Sequence, residues 1–196
     1  MSELKPMRTF VAAMTRLVEE HRENEAKILE VGAGLLHDLV CSNQWLPDEF
    51  AVPSRDRYRQ YLLYGDPQER FSVVSFVWLP TQRTPIHDHL TWGLIGQLRG
   101  EELCEEYDVT GPGVPKVPKN VHRMRRGDID RVSPRIGDIH AVSHGGTVGA
   151  AISIHVYGSN IGAVRRHMFE QATGMTTEFV SGYDNAVLPD RRRDQP

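Results

Sequence analysis

Pro85-Ile86-His87-Asp88-His89-Leu90-Thr91-Trp92-Gly93 is the stretch around which this chain is built. Side chains two residues apart in an extended strand point to the same face, so His87 and His89 should enter one cavity while Asp88 faces away. The later run Pro134-Arg135-Ile136-Gly137-Asp138-Ile139-His140 supplies a third histidine at the start of another strand. Three imidazoles arranged in this way predict a metal site with open coordination positions. The rest of the sequence predicts the barrel that holds it.

The composition limits the class of protein. A length of 196 residues favours one domain with a sizeable core. The 23 basic and 26 acidic side chains nearly balance, at a net charge of -3, so nucleic acid is not an expected partner. Cys41 and Cys104 form no CxxC pair and no secretory signal opens the chain, which predicts a reduced, cytoplasmic protein. No membrane span is expected, because no apolar run reaches roughly 18 residues.

Two helices are predicted before the strands. Residues 7–20 carry apolar side chains at offsets of three and four, the period of an amphipathic helix. A second helix should begin near Asn24, a good N-cap, and end before Trp45, although Gly32 and Gly34 weaken it. Both helices are expected to cover one side of the core.

From Tyr58 onward the hydrophobic period changes to two, and turn residues recur between short apolar runs. This pattern predicts an antiparallel barrel or sandwich. Residues 101–109 are predicted to pair back with the strand that ends at Gly100, and 111–118 is predicted to be a loop. We expect one domain over 1–184, with a helical segment at about 7–45, a β-barrel at about 57–184 and a flexible tail at 185–196. The predicted strands cover 58–64, 71–79, 87–98, 101–109, 128–132, 139–143 and 148–157.

A second group of polar residues lies on the strand Ile152-Ser153-Ile154-His155-Val156-Tyr157. Ser153, His155 and Tyr157 share one face, and polar groups facing into a barrel must bond to one another or to a ligand. They are predicted to form a relay in which the hydroxyl fixes the imidazole and the imidazole orients the phenol. The alternative is the solvent face of a half-buried strand. A nucleophilic Ser153 is disfavoured, because no Gly-x-Ser-x-Gly elbow surrounds it. The histidines expected to be structural or exposed are His21, His37, His122 and His167.

These motifs resemble those of the thiol dioxygenases, the group of cupins that includes cysteine dioxygenase and 3-mercaptopropionate dioxygenase. The resemblance rests on Pro85-Ile86-His87-Asp88-His89, on the run from Gly137 to His144, and on Ser153-Ile154-His155-Val156-Tyr157. It implies a mainly β cupin fold, a double-stranded β-helix or jelly-roll barrel, with an N-terminal helical layer. It also implies Fe(II) bound by His87, His89 and His140, and an outer-sphere relay of Ser153, His155 and Tyr157.

Two positions distinguish this chain within the resemblance. Gly93 stands where cupins in general often carry a glutamate ligand, and where some cysteine dioxygenases carry a cysteine cross-linked to the relay tyrosine, so Tyr157 should be a free phenol. Gln60 stands where cysteine dioxygenases carry the arginine that holds the substrate carboxylate. The resemblance is therefore to the glutamine-type branch, which implies Arg166, with Arg165 as the fallback, as the carboxylate-binding residue.

The function implied is addition of both atoms of O2 to the sulfur of a small carboxylated thiol, most of all 3-mercaptopropionate, to give the sulfinate. Three alternatives stay open. The same chemistry can act on cysteine or mercaptosuccinate. The barrel can instead house a non-redox enzyme using zinc or manganese, because imidazole suits several metals. A non-catalytic ligand sensor is the third, because a fold does not fix a function. The oligomeric state is left open.

Overall fold

The structure, a computed structural model, describes residues 4–42, 44–108, 117–173 and 175–186. Two helices lead into a barrel of short antiparallel strands. The elements are α1 (Lys5–Glu20), α2 (Glu25–Val40), a 3-10 turn (Asp48–Phe50), β1 (Arg59–Gly65), β2 (Ser72–Trp78), β3 (Ile86–His87), β4 (Gly93–Arg99), β5 (Glu101–Tyr107), β6 (Asn120–Arg125), β7 (Ile129–Val132), β8 (Ile139–His144), β9 (Ala151–Tyr157), β10 (Arg166–Phe169) and β11 (Thr176–Phe179).

The two predicted helices are present. The side chain of Asn24 accepts a hydrogen bond from the Lys27 backbone N–H at 3.1 Å, so it caps α2 as expected. Gly32 and Gly34 are tolerated within α2, and Gly32 lies where an added Cβ would meet Leu94 at 2.8 Å. The glycine therefore lets the helix approach the sheet closely. Among the described residues, no helix is long and apolar enough to span a membrane.

The strands form two antiparallel sheets. One has five strands in the order β1-β2-β9-β4-β7, and the other has six in the order β11-β10-β3-β8-β5-β6. The helices pack on the outer face of the five-stranded sheet, where they share a core with Val73, Leu94 and Ile154. A second core, which includes Phe76 and Met124, fills the space between the sheets. The predicted mainly β barrel with an N-terminal helical layer is confirmed.

The predicted single strand over 87–98 is wrong. It is two strands, β3 in the six-stranded sheet and β4 in the five-stranded sheet, and residues 88–92 carry the chain from one to the other. Leu90 has a φ of 59°, a left-handed conformation that no regular strand can contain. His89 therefore lies beyond the end of β3 rather than two positions along it.

The predicted pairing of 101–109 with the preceding strand is also wrong. Gly100, at a φ of +66°, turns a corner between the sheets, so β5 pairs with β6 and β8 rather than with β4. A Cβ at Gly100 would lie 2.9 Å from the Ala151 backbone, so glycine is required there on two counts. Residue 109 lies outside the described residues.

The remaining strands agree with the prediction only in part. The sequence did not predict β6, β10 or β11, and β9 begins at Ala151 rather than at 148. The predicted loop at 111–118 lies mostly outside the described residues, as does the predicted tail beyond Ala186. Asn185, within that predicted tail, bonds to the backbone of Leu62 on both its polar atoms. The division into one domain and a tail stays a prediction.

Strand β9 places the relay residues. Both of its faces are buried, because one packs on the helix side and the other faces the space between the sheets. Ile152, Ile154 and Val156 occupy the helix side, as their alternation predicted. Ser153 and His155 therefore face into the barrel, with 0% and 2% of their surfaces exposed. The alternative of a solvent-facing strand is excluded.

Candidate metal centre

His87, His89 and His140 converge at one point inside the barrel. Each pair of rings has a centroid separation of 4.7 to 4.9 Å, and the three candidate ligand atoms lie within 4.8 Å of one another. His87 and His140 face each other as register partners on β3 and β8. His89 joins them from the crossing segment at 88–92. The cluster can hold a metal ion.

The far nitrogen of each ring has a partner that fixes its orientation. His87 Nδ1 lies 3.0 Å from the Pro85 carbonyl, and His140 Nδ1 lies 3.6 Å from Cys104 Sγ. His89 Nδ1 lies 3.0 Å from the carboxylate of Asp138. Donation from each Nδ1–H leaves the three Nε2 lone pairs free for a metal. The role of Asp138 was missed by the sequence analysis, although it stands within the quoted run before His140.

The donor atoms fit a divalent cation. His89 Nε2 is a buried polar atom without a hydrogen-bond partner in the structure, which an ion would satisfy. Burial, helped by the neighbouring imidazoles, lowers the pKa of His87 and His140 well below the ordinary value. Both rings are therefore neutral near pH 7, as metal ligation requires. Within the part of the chain that the structure describes, no carboxylate joins the three rings as a ligand, so a bound divalent ion would keep its full charge.

Beside the cluster, the three predicted relay residues are joined by hydrogen bonds. Ser153 Oγ lies 2.8 Å from His155 Nε2, and His155 Nδ1 lies 2.8 Å from the Tyr157 hydroxyl. The Tyr157 ring stacks on His89, with centroids 5.2 Å apart and planes 20° apart. The phenol thus connects the relay to the histidine cluster. Burial lowers the pKa of His155 and raises that of Tyr157, so both are neutral near pH 7.

One tautomer of His155 lets each residue of the relay donate a hydrogen bond to the next, from Ser153 through His155 to Tyr157. The Trp78 indole can only donate, and it lies 3.5 Å from Ser153 Oγ, a long contact in which the hydroxyl oxygen accepts. In the tautomer that carries the ring proton on Nδ1, Ser153 donates to His155 Nε2 and the Nδ1–H donates to the Tyr157 oxygen. This tautomer leaves the Tyr157 O–H proton free to donate into the cavity.

A cavity of about 230 Å³ lies against His87 and Tyr157. Arg166 enters it from β10 and is only 4% exposed. Its Nη2 donates to Ser181 at 2.9 Å, and its guanidinium lies 4.6 Å from the centre of the Phe179 ring. Its Nε is buried and has no hydrogen-bond partner among the described residues. An unpaired cationic donor in such a cavity is suited to an anionic group.

Of the other predicted substrate residues, one lines the cavity and one lies on the surface. Gln60 is 7% exposed and lines the same cavity, whereas Arg59 points away to an ion pair with Asp184. Arg165, the fallback, bonds Glu178 with its side chain 66% exposed. The structure therefore brings Gln60 and Arg166 to the cavity and leaves Arg165 on the surface. Tyr58 also lines this cavity, and the sequence analysis did not assign it to the site.

Gly93 lies directly against the relay phenol. A Cβ at this position would meet Tyr157 Cδ1 at 2.9 Å and Val132 Cγ2 at 2.8 Å. The glycine at the start of β4 therefore makes room for the ring of Tyr157. Cys104, the buried cysteine, lies on the His140 side, and Cys41 is exposed.

Glu102 is a buried carboxyl that the sequence analysis missed. It is 0% exposed, and both of its oxygens lack a hydrogen bond of ordinary geometry. The carboxyl faces Ser153, Gln97 and Trp78, so it lies beneath the far end of the relay. Burial raises its pKa to about 8. Its position in an alternating strand was the only sequence feature that indicated an inward-facing side chain. Fully buried glutamates are rare without a partner, so the residue type itself indicated exposure.

No family model matches the chain. Solved cupin structures are similar to it. A protein with a double-stranded β-helix domain from Klebsiella pneumoniae is 17% identical, with a TM-score of 0.46 over 67% of this chain and 91% of that one. An RmlC-like cupin from Desulfovibrio desulfuricans is 21% identical, with a TM-score of 0.42 over 55% and 88%. A DMSP lyase from Ruegeria pomeroyi is 16% identical, with a TM-score of 0.42 over 61% and 57%.

Proposed function

We propose that the protein is an iron(II)-dependent thiol dioxygenase that acts on a small carboxylated thiol, with 3-mercaptopropionate as the preferred substrate. The observation that carries the proposal is one cavity that joins three groups. They are His87 of the histidine cluster, the Tyr157 phenol and the guanidinium of Arg166, whose Nε has no hydrogen-bond partner among the described residues. The sequence motifs that resemble thiol dioxygenases supply the reaction class.

The charge of the site supports a thiolate substrate. Three neutral imidazoles leave a divalent ion with its full positive charge, which favours a bound anion. Iron(II) held by these rings would supply redox chemistry with O2 and stabilise the thiolate. In the net reaction, RS⁻ and O2 give RSO2⁻. Two S–O bonds form and the O–O bond breaks, while sulfur loses four electrons and the two oxygen atoms gain them.

Arg166 is the proposed carboxylate anchor. It lines the same cavity as His87, so a short substrate can reach both the guanidinium and the metal cluster. A guanidinium can bind a carboxylate through two parallel hydrogen bonds, and holding both ends of the substrate fixes its sulfur. Gln60 offers an amide to the same cavity, a neutral group beside the cationic one.

Tyr157 is the proposed hydrogen-bond donor to the reacting groups. His155 and Ser153 hold its oxygen, and the direction of their donors leaves the phenol proton facing the cavity. Because its pKa is raised by burial, the phenol keeps that proton near pH 7. It can therefore stabilise negative charge without losing its proton.

Oxygen uptake by the iron-loaded protein tests the proposal. 3-Mercaptopropionate, cysteine and mercaptosuccinate are supplied in separate assays, and the sulfinate product is quantified against the O2 consumed. We expect one sulfinate per O2, with the highest kcat/KM for 3-mercaptopropionate. Propanethiol, which lacks the carboxylate, serves as the matched control and should react poorly. A higher rate with cysteine or mercaptosuccinate would reassign the substrate, and no uptake with any thiol would exclude the reaction.

A non-redox metal enzyme is the second candidate. Three histidines with an open position are also a donor set for catalytic zinc, so the geometry of the cluster favours this candidate as well. Metal analysis of the protein as purified separates the two. Zinc without oxygen uptake on iron loading would support the second candidate, and iron with uptake would support the dioxygenase.

A further inference from the structure

A second cluster of metal-binding side chains lies at the seam between the two sheets. Within the described residues, Cys104, His122 and Asp130 have ligand atoms that all lie within 4.8 Å of one another. Cys104 and His122 are direct register partners on β5 and β6, and Asp130 lies on β7. Strands β6 and β7 are the edge strands of their sheets, so this seam cluster joins two edges.

The imidazole of His122 is oriented from both sides. Its Nε2 lies 2.7 Å from Asp130 Oδ2, and its Nδ1 lies 3.5 Å from Glu106 Oε1. An imidazole that ligates a metal through one nitrogen usually has a carboxylate or carbonyl partner on the other. Glu106 is therefore placed where such an orienting partner belongs. The sequence pattern alone had indicated a structural or exposed role for His122.

The space around the seam cluster can hold an ion and is open to solvent on one side. A cavity of about 190 Å³ lies against Cys104 and Asp130. Cys104 is 2% exposed and provides an enclosed sulfur, whereas the His122 side chain is 29% exposed and opens the cluster to solvent. The cavity can hold a water as the fourth ligand. One thiolate and one carboxylate would also balance the charge of a divalent ion, so the occupied site would be neutral.

We infer that Cys104, His122 and Asp130 form a second metal site, selective for zinc-class divalent ions, that clamps the edges of the two sheets together. Sulfur, nitrogen and oxygen ligands in a tetrahedral arrangement are typical of zinc. On binding, the Cys104 thiol gives its proton to solvent and the sulfur forms a bond to the metal. The site differs from the three-histidine cluster in containing a protein thiolate.

Cobalt(II) is the probe, because a cobalt–thiolate bond produces a charge-transfer absorption in the near ultraviolet that imidazole ligands do not produce. The full chain is freed of metal with a chelator and titrated with Co²⁺. We expect the band in the wild-type protein and its loss in Cys104→Ser. Cys41→Ser is the matched control and should keep the band, although Cys41 Sγ also lies near an imidazole, 3.4 Å from His37 Nε2.

Two further variants keep the test decisive. His122→Ala changes a partly exposed residue on an edge strand, so it should fold even if Cys104→Ser does not, and it should weaken Co²⁺ binding at this site more than about tenfold. His87→Ala should keep the band, which makes the result independent of the proposed function. The inference is overturned if wild type shows no band, if Cys41→Ser abolishes it, if His122→Ala leaves the affinity unchanged, or if His87→Ala abolishes it.

Discussion

Tyr157 connects two parts of the site through one oxygen atom. The phenol oxygen lies 2.8 Å from His155 Nδ1, and in the tautomer protonated at Nδ1 it accepts this bond and keeps its own proton for the cavity. Tyr157→Phe removes the hydroxyl and keeps the ring that stacks on His89, so the metal cluster should be unaffected. We expect kcat to fall on the order of 10²-fold, the lower end for loss of one hydrogen-bond donor to developing charge, with unchanged iron content. Sulfinate assays and metal analysis check this, and an unchanged kcat would exclude the role of the phenol.

Arg166 and Arg165 form a natural matched pair. Arg166 is buried at the cavity, whereas Arg165 is largely exposed and bonds Glu178. Arg166→Ala removes a charged hydrogen-bond donor worth about 1.5 to 3 kcal/mol, so KM for 3-mercaptopropionate should rise about 10- to 100-fold. Arg165→Ala should leave KM unchanged. Initial-rate kinetics on both variants check this, and equal effects would move the carboxylate site away from Arg166.

At the scale of elements, the crossing segment at 88–92 is held by Asp138, the residue immediately before β8. Its Oδ2 accepts from the backbone N–H of His89 at 3.1 Å and of Leu90 at 2.9 Å, while Oδ1 faces His89 Nδ1 at 3.0 Å. The left-handed Leu90 is thus stabilised by the residue that orients a candidate ligand. One carboxylate fixes both the turn and the ring.

Asp138→Ala should therefore weaken the metal site without removing a ligand. Loss of a partner that orients a ligating histidine typically reduces metal affinity 10- to 100-fold. We expect a change of that size for Fe²⁺, measured by competition with a chelator under anaerobic conditions. Asp88→Ala is the control from the same segment, because Asp88 faces away and bonds His167 instead. If both variants keep wild-type affinity, Asp138 does not tune the site.

Sequence patterns predicted the helices and strands that are determined by residues close together in sequence. The helices follow from apolar spacing and the Asn24 cap, and β2 and β9 follow from β-branched and aromatic runs. The crossing at 88–92 and the corner at Gly100 depend on which sheet each strand joins, and that choice is made by distant partners. A run that looks continuous in sequence can therefore belong to two sheets.

The same distinction applies to the site. The His-x-His pair and the alternation on β9 predicted the two clusters from sequence alone. His89, however, reaches the centre from a turn and not from a strand. The roles of Asp138, Glu102 and Cys104 depend on neighbours from other strands, so local sequence gives at most the alternation that places Glu102 on an inward face. Burial of a carboxyl is a property of the assembled barrel.

At the scale of the whole molecule, the barrel encloses groups whose protonation must change on unfolding. Burial raises the pKa of Glu102 to about 8 from 4.5, whereas it lowers the pKa of His87, His140 and His155. The carboxyl favours folding when protonated, so its contribution is full below pH 4.5 and is lost as pH rises toward 8. The buried histidines favour folding when neutral, so they reduce the free energy of unfolding as the pH falls, but only below about pH 6.5. Glu102 therefore dominates between pH 6.5 and 8.

In this window, the free energy of unfolding of the chelator-treated protein should fall by on the order of 1 kcal/mol per pH unit. Glu102→Gln removes the titrating group at nearly constant volume and should flatten this dependence. Glu101→Gln is the matched control, because Arg125 and Arg123 lower the pKa of that exposed neighbour and it is ionised throughout the window. Urea unfolding at pH 6.5, 7.25 and 8 measures all three proteins. Equal slopes for wild type and Glu102→Gln would mean that Glu102 is already ionised inside the barrel, held there by the donors that it faces, Ser153, Gln97 and Trp78.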